Sequence, residues 1–258
     1  MNPSPITAVV FDLGAVLVDW NPEYLYAKLI PDPDERRVFL DEICTLKWNY
    51  AMDGGRSVRD EVAKLAAQHP EHADLINAWW DRWPEMLGDE IPGTRAIAER
   101  ISASGIPLYA LTNWSAETWP LGLAGFPFLG ELFDGIVVSG DEGVVKPDPR
   151  LFAILRDRYG LNPATTLFID DSPKNVAAAD ELGYVAHLFT SADDLEAWLR
   201  NLGLLSSRRV RFVPPTLLTT APWPPAPLLV AVLSLVWLFA IGLWVKTGDP
   251  DAQVPATD

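Results

Sequence analysis

Between residues 7 and 205, short apolar runs alternate with longer stretches whose apolar residues recur at helical spacing. The runs at 7–12, 107–112, 135–139, 165–170 and 184–188 predict strands. Periodicity predicts helices over 93–104, 147–160, 173–182 and 191–202. Pro92-Gly93-Thr94, Lys146-Pro147-Asp148 and Ser191-Ala192-Asp193-Asp194 supply start signals, and Gly105, Gly160, Gly183 and Gly203 stand where helices should stop. Such alternation predicts an α/β fold, a Rossmann-like three-layer core around a parallel sheet.

One stretch breaks the rule. Residues 22 to about 90 hold helical patterns at 22–30, 34–48, 56–68 and 71–87 and no convincing strand. A helical insertion placed directly after the first strand predicts a lid, with Asp53-Gly54-Gly55 as an internal turn. Trp79, Trp80 and Trp83 sit at helical spacing, which predicts core packing first and a substrate-facing wall second.

After Gly203 the character changes again. Arg208, Arg209 and Arg211 lead into a proline-rich linker, and an uncharged apolar run follows from Leu228 to Val245. At about 1.5 Å per residue the run spans roughly 27 Å, close to the hydrocarbon core of a bilayer. Trp223 and Trp244 flank it as interfacial aromatics do. The run predicts a C-terminal transmembrane helix, and the preceding arginines place the catalytic domain in the cytoplasm. The expected partition is a catalytic core over 1–20 and 91–205, a helical cap over 21–90, a linker over 206–227, a span over 228–245 and a short tail over 246–258.

Charge and cysteine usage narrow the function. Twenty Lys and Arg against 35 Asp and Glu give a net charge of −15, which argues against a nucleic-acid partner. The lone Cys44 excludes an internal disulfide and suits a reducing compartment. Neither observation opposes a small phosphorylated ligand, which needs only local positive charge.

The candidate chemistry lies at strand ends, where ligands bind in an open parallel sheet. Ala8-Val9-Val10-Phe11 runs into Asp12, and Thr166-Leu167-Phe168-Ile169 runs into Asp170-Asp171. Carboxylates gathered at one point repel unless a cation holds them, and Mg2+ bound through oxygen is the natural choice. Leu108-Tyr109-Ala110-Leu111 ends in Thr112-Asn113, and Ile136-Val137-Val138 leads through a loop to Lys146. Taken singly, each is ordinary: a strand-end Asp caps a turn and a loop lysine is solvated. Taken together, a carboxylate nucleophile, a cation, a hydroxyl and a lysine make a site for a phosphoryl group.

Phe11-Asp12-Leu13-Gly14-Ala15-Val16, Leu111-Thr112-Asn113, Val145-Lys146-Pro147 and Phe168-Ile169-Asp170-Asp171-Ser172 resemble, in order and character, the four motifs of the haloacid dehalogenase (HAD) superfamily. The resemblance covers residues 6–203, and the helical insertion is similar to that family's C1-type cap. It implies Asp12 as nucleophile and metal ligand, Thr112 and Asn113 as phosphoryl-binding residues, and Lys146 as the residue that steadies charge. It also implies Asp171 as a Mg2+ ligand, with Asp170 beside it where many members carry glycine. Gly14 departs from the phosphatase pattern, in which an aspartate two residues after the nucleophile serves as general acid. Its carbonyl can still bind metal, but it has no proton to give. Asp19, Asn21 and Asp53 are conceivable substitutes, and each reads first as a cap or turn residue.

The expected function is therefore Mg2+-dependent hydrolysis of a small phosphorylated metabolite through an aspartyl-phosphate on Asp12. A metal-independent 2-haloacid dehalogenase stands as an alternative, because halide leaves unprotonated and Gly14 would cost it nothing. A membrane-tethered binding protein with a weakened site and a non-enzymatic phospho-acceptor complete the set.

Overall fold

The computed structural model describes residues 5–205. Five strands form one parallel sheet: β1 (Ala8–Phe11), β4 (Leu108–Thr112), β5 (Gly135–Val138), β6 (Thr166–Asp170) and β7 (Val185–Leu188). Their order is β5-β4-β1-β6-β7, so the two strands that run into acids lie side by side at the centre. Every residue of β1 and β6 is buried. That explains why both read as unbroken apolar runs rather than as alternating ones.

Alternation reappears in three dimensions. Val9 and Phe11 face one apolar cluster, and Val10 faces another. Helix α6 (Thr94–Ala103) covers the first face with Ile97, Ala98 and Ile101, joined by Leu195 and Leu199 of α12 (Ala192–Asn201). Helix α10 (Pro149–Tyr159) covers the opposite face with Leu151, Phe152 and Leu155, joined by Ala179 of α11 (Pro173–Glu181). Burying these faces is the main force that holds the three layers together.

Helices α1 (Glu23–Leu29), α2 (Pro33–Glu42), α3 (Leu46–Asp53), α4 (Val58–Gln68) and α5 (Ala73–Asp81) occupy the insertion. The single helix expected over 34–48 is two, because Thr45 adopts an extended conformation and its side chain caps α3 by accepting from the Trp48 N–H. The helix expected to run to residue 87 ends at Asp81, and Pro84 lies in the short 3-10 turn Trp83–Met86 that follows. A two-stranded antiparallel ribbon, β2 (Val18–Trp20) with β3 (Leu87–Glu90), flanks the insertion at both ends. Three short helices were also not expected: α7 (Trp119–Gly125), α8 (Phe128–Leu132) and α9 (Ser139–Glu142).

Among the described residues, no helix is long and apolar enough to cross a membrane. The expected span Leu228–Val245 lies outside them, as do its linker and tail.

Candidate active site

Strand register builds the site. Phe11 pairs with Ile169 and the Asp12 N–H donates to the Ile169 carbonyl at 2.8 Å, so Asp12 and Asp170 leave the sheet together. One carboxylate oxygen from each of Asp12, Asp170 and Asp171 lies within 4.8 Å of the others. Lys146 enters from the loop after α9, its ammonium 2.9 Å from Asp12 Oδ2 and 2.7 Å from Asp170 Oδ2. The Lys146 side chain is wholly buried.

Each acid has a distinct environment. Asp170 is fully enclosed, and its carboxylate also accepts from the Ser172 N–H at 2.9 Å and from Asn175 Nδ2 at 3.0 Å. It is consumed by protein contacts and orients Lys146. Asp171 is exposed, which leaves it facing outward beside the pair. Burial, with Asp170 and Asp171 adding to it, pushes the Asp12 carboxyl up to about 7 against the pull of Lys146. Burial likewise raises Asp171, with Asp170 adding to it. Burial opposes the Lys146 ammonium, but Asp12 and Asp170 prevail and hold it above its ordinary value.

Three crowded carboxylates against one ammonium leave an excess of negative charge. An oxygen-ligated divalent cation fits that donor set, with Asp171 exposed and Asp12 buried beside it. The Gly14 carbonyl completes the expected set, and among the described residues nothing donates a hydrogen bond to it.

Thr112 ends β4 opposite Val138 and is buried. The Asn113 side chain does something the sequence did not suggest. Its Oδ1 accepts from the Lys146 N–H at 2.8 Å, and its Nδ2 donates to the Lys146 carbonyl at 3.1 Å. Both ends of the amide therefore pin the backbone of the lysine, and the Tyr50 hydroxyl donates to the same carbonyl. Asn175 and Ser139 are further contributors that sequence reasoning missed. Ser139 Oγ donates to the Asp53 carbonyl at 2.6 Å and accepts from the Trp114 N–H at 2.9 Å, tying the insertion to the strand-end loops.

The substitutes for the acid missing at Gly14 separate cleanly. Asp19 accepts from the Tyr24 hydroxyl, and Asn21 accepts from the Glu23 N–H at 2.9 Å as an ordinary turn residue. Asp53 alone lines the same cavity as Gly14 and Asn113. Burial pushes its carboxyl up to about 7, opposed by a hydrogen bond from the Ser115 backbone.

The chain is similar to known proteins over most of its length. The family model for haloacid dehalogenase-like hydrolases matches residues 6–183. Sesquiterpene phosphatase astK of Aspergillus oryzae is 28% identical over 189 residues, covering 71% of this chain and 90% of its own. Phosphoglycolate phosphatase of Shigella boydii is 24% identical over 208 residues, covering 69% and 79%. A HAD family enzyme from Bacteroides thetaiotaomicron, solved with magnesium and inorganic phosphate, superposes with a TM-score of 0.59 at 21% identity, covering 76% of this chain and all of that one. With the family model spanning most of the chain, this protein belongs to the haloacid dehalogenase-like hydrolases.

Proposed function

We propose that the chain is a Mg2+-dependent phosphatase that hydrolyses a small phosphate monoester through Asp12. The observation that carries this reading is the acid cluster: Asp12, Asp170 and Asp171 converge within 4.8 Å around a single buried lysine. A dehalogenase needs no such concentration of negative charge, whereas a metal-assisted phosphatase does. Two phosphatases among its relatives support the same choice.

In the first step an oxygen of Asp12 forms a bond to phosphorus as the bond to the leaving oxygen breaks, giving an aspartyl-phosphate and an alcohol. In the second, water attacks phosphorus, releasing inorganic phosphate and restoring the carboxylate. Lys146 holds Asp12 in place and offsets charge on the phosphoryl oxygens, while Asn113 fixes the lysine backbone. Thr112 orients the phosphoryl group. Mg2+ held by Asp12, Asp171 and the Gly14 carbonyl would neutralise further charge on that group. Asp171→Ala should therefore raise the Mg2+ concentration needed for half-maximal phosphate release, with saturating Mg2+ restoring part of the rate. Activity indifferent to both the substitution and the metal would sink the metal-assisted reading.

The insertion acts as the cap over this site, and Asp53 on it supplies the leaving-group proton that Gly14 cannot. A carboxyl titrating at about 7 is half protonated near neutrality, which suits that work. Asp53→Asn should slow alkyl phosphates by roughly 10²-fold and p-nitrophenyl phosphate far less, because nitrophenolate leaves without a proton. A Cβ added at Gly14 meets nothing within 4 Å among the described residues, so Gly14→Asp in that background has room to restore the alkyl rate. Stability supplies an independent reading. A carboxyl raised from 3.8 to about 7 holds its proton more tightly folded than unfolded, so its favourable contribution is lost as pH rises across that window. Asp53→Asn should flatten the decline in Tm over the same range. Equal slowing of both substrates, or an unchanged pH slope, would remove Asp53 from the role.

On hydropathy alone, the apolar run Leu228–Val245 tethers this domain to a membrane.

A further inference from the structure

A cavity of about 260 Å³ opens beside the strand-end loops, with Gly14 and Asn113 in its wall. Six apolar side chains supply most of the rest: Trp20, Trp79, Trp83, Trp114, Leu46 and Val58. The rings brace one another. Trp20 and Trp79 meet edge to face at 6.1 Å between centroids, and Trp83 and Trp114 lie at 5.8 Å. The indole N–H groups of Trp20, Trp79 and Trp114 are sealed off without partners among the described residues, so these residues present ring carbon to the cavity, not donors.

Several polar groups in the wall are already engaged, while the Asp53 carboxyl and the Gly14 carbonyl keep acceptor positions open. Both ends of the Asn113 amide bind the Lys146 backbone, and the Tyr50 hydroxyl donates to the same carbonyl. Asn49 Nδ2 donates to Asp53 Oδ2 at 3.0 Å, and Ser115 Oγ accepts from the Glu117 N–H at 3.3 Å. A sugar would bury several hydroxyls against a wall that is mostly ring and aliphatic carbon, at a cost for each unpaired one. Among the described residues, no Lys, Arg or His lines the cavity, so a second anionic group such as a carboxylate would be buried without a counter-charge.

We propose that this cavity receives the leaving group of the substrate and that this group is an uncharged hydrocarbon body, so that the enzyme acts on monophosphates of hydrophobic alcohols. The proposal rests on the phosphatase reading for its chemistry, but the ligand class follows from the cavity walls alone.

Two measurements on the full-length chain with Mg2+ separate the two ideas. The first is calorimetric binding of unreactive alkylphosphonates from ethyl to octyl. Burial of each methylene, at about 0.8 kcal/mol, should lower Kd about fourfold. The second is phosphate release from octyl phosphate, glucose 6-phosphate and phosphoglycolate, with kcat/KM for octyl phosphate expected to exceed the others by about 250-fold, the equivalent of four such methylenes. Leu46 is two-thirds exposed at the rim, and Leu46→Arg should flatten the chain-length series and favour phosphoglycolate. A Kd independent of chain length, a slope that Leu46→Arg leaves intact, or a preference for the sugar or the acid would overturn the ligand class even if the protein proves a phosphatase. A steep phosphonate series without phosphate release from any ester would overturn the phosphatase reading and leave the cavity assignment standing.

Discussion

Asp12→Asn is expected to abolish phosphate release, by on the order of 10⁴–10⁶-fold, as removal of a nucleophile does elsewhere. The substitution keeps the volume and an oxygen that can accept from the Leu13 N–H, now 2.7 Å from Asp12 Oδ1. The fold should survive, because Lys146 retains its contact with Asp170 at 2.7 Å. Burial that works against the Asp12 charge in the parent protein is relieved by the neutral amide. The variant should therefore melt no earlier than the parent in metal-free buffer. Scanning calorimetry beside a phosphate assay checks both halves. Residual turnover within tenfold of the parent would exclude Asp12 as nucleophile.

Lys146→Met should damage both activity and stability. The ammonium is wholly buried between Asp12 and Asp170, and its removal leaves two close carboxylates inside the protein without it. Breaking a buried pair from one side costs about 3–5 kcal/mol, which lowers Tm by roughly 6–20 °C for a domain of this size. Methionine retains most of the hydrophobic stem, so the loss reports charge and not volume. Added Mg2+ should recover part of the lost Tm, because it restores positive charge next to Asp12. A Tm unchanged from the parent, or one insensitive to Mg2+, would contradict this electrostatic picture of the site.

How far the sequence revealed this arrangement varied with the physics of each element. The central strands were legible because both their faces are buried, which turns Ala8–Phe11 and Thr166–Asp170 into continuous apolar runs. The acids at their ends were legible for the same reason, since a charge that terminates such a run stands out. Val18–Trp20 and Leu87–Glu90 were not, being three and four residues long and made strands only by pairing with each other. The break at Thr45 carried a recognisable signal, a threonine three residues before the Trp48 N–H it caps. The clamp of Asn113 on Lys146 joins residues 33 apart and has no local signature. Asp53 read as the start of an Asp-Gly-Gly turn. Its place in the cavity wall depends on how the insertion docks through Ser139 and Ser115, which no local pattern encodes.

The central claim is phosphoryl transfer assisted by a divalent cation. Its most direct test is release of inorganic phosphate from p-nitrophenyl phosphate by the full-length chain, with Mg2+ and after chelation, beside release of chloride from 2-chloropropionate. The account predicts phosphate release that Mg2+ sustains and a chelator stops, with no chloride released under either condition. Chloride release that persists through chelation, without phosphate release, would contradict it.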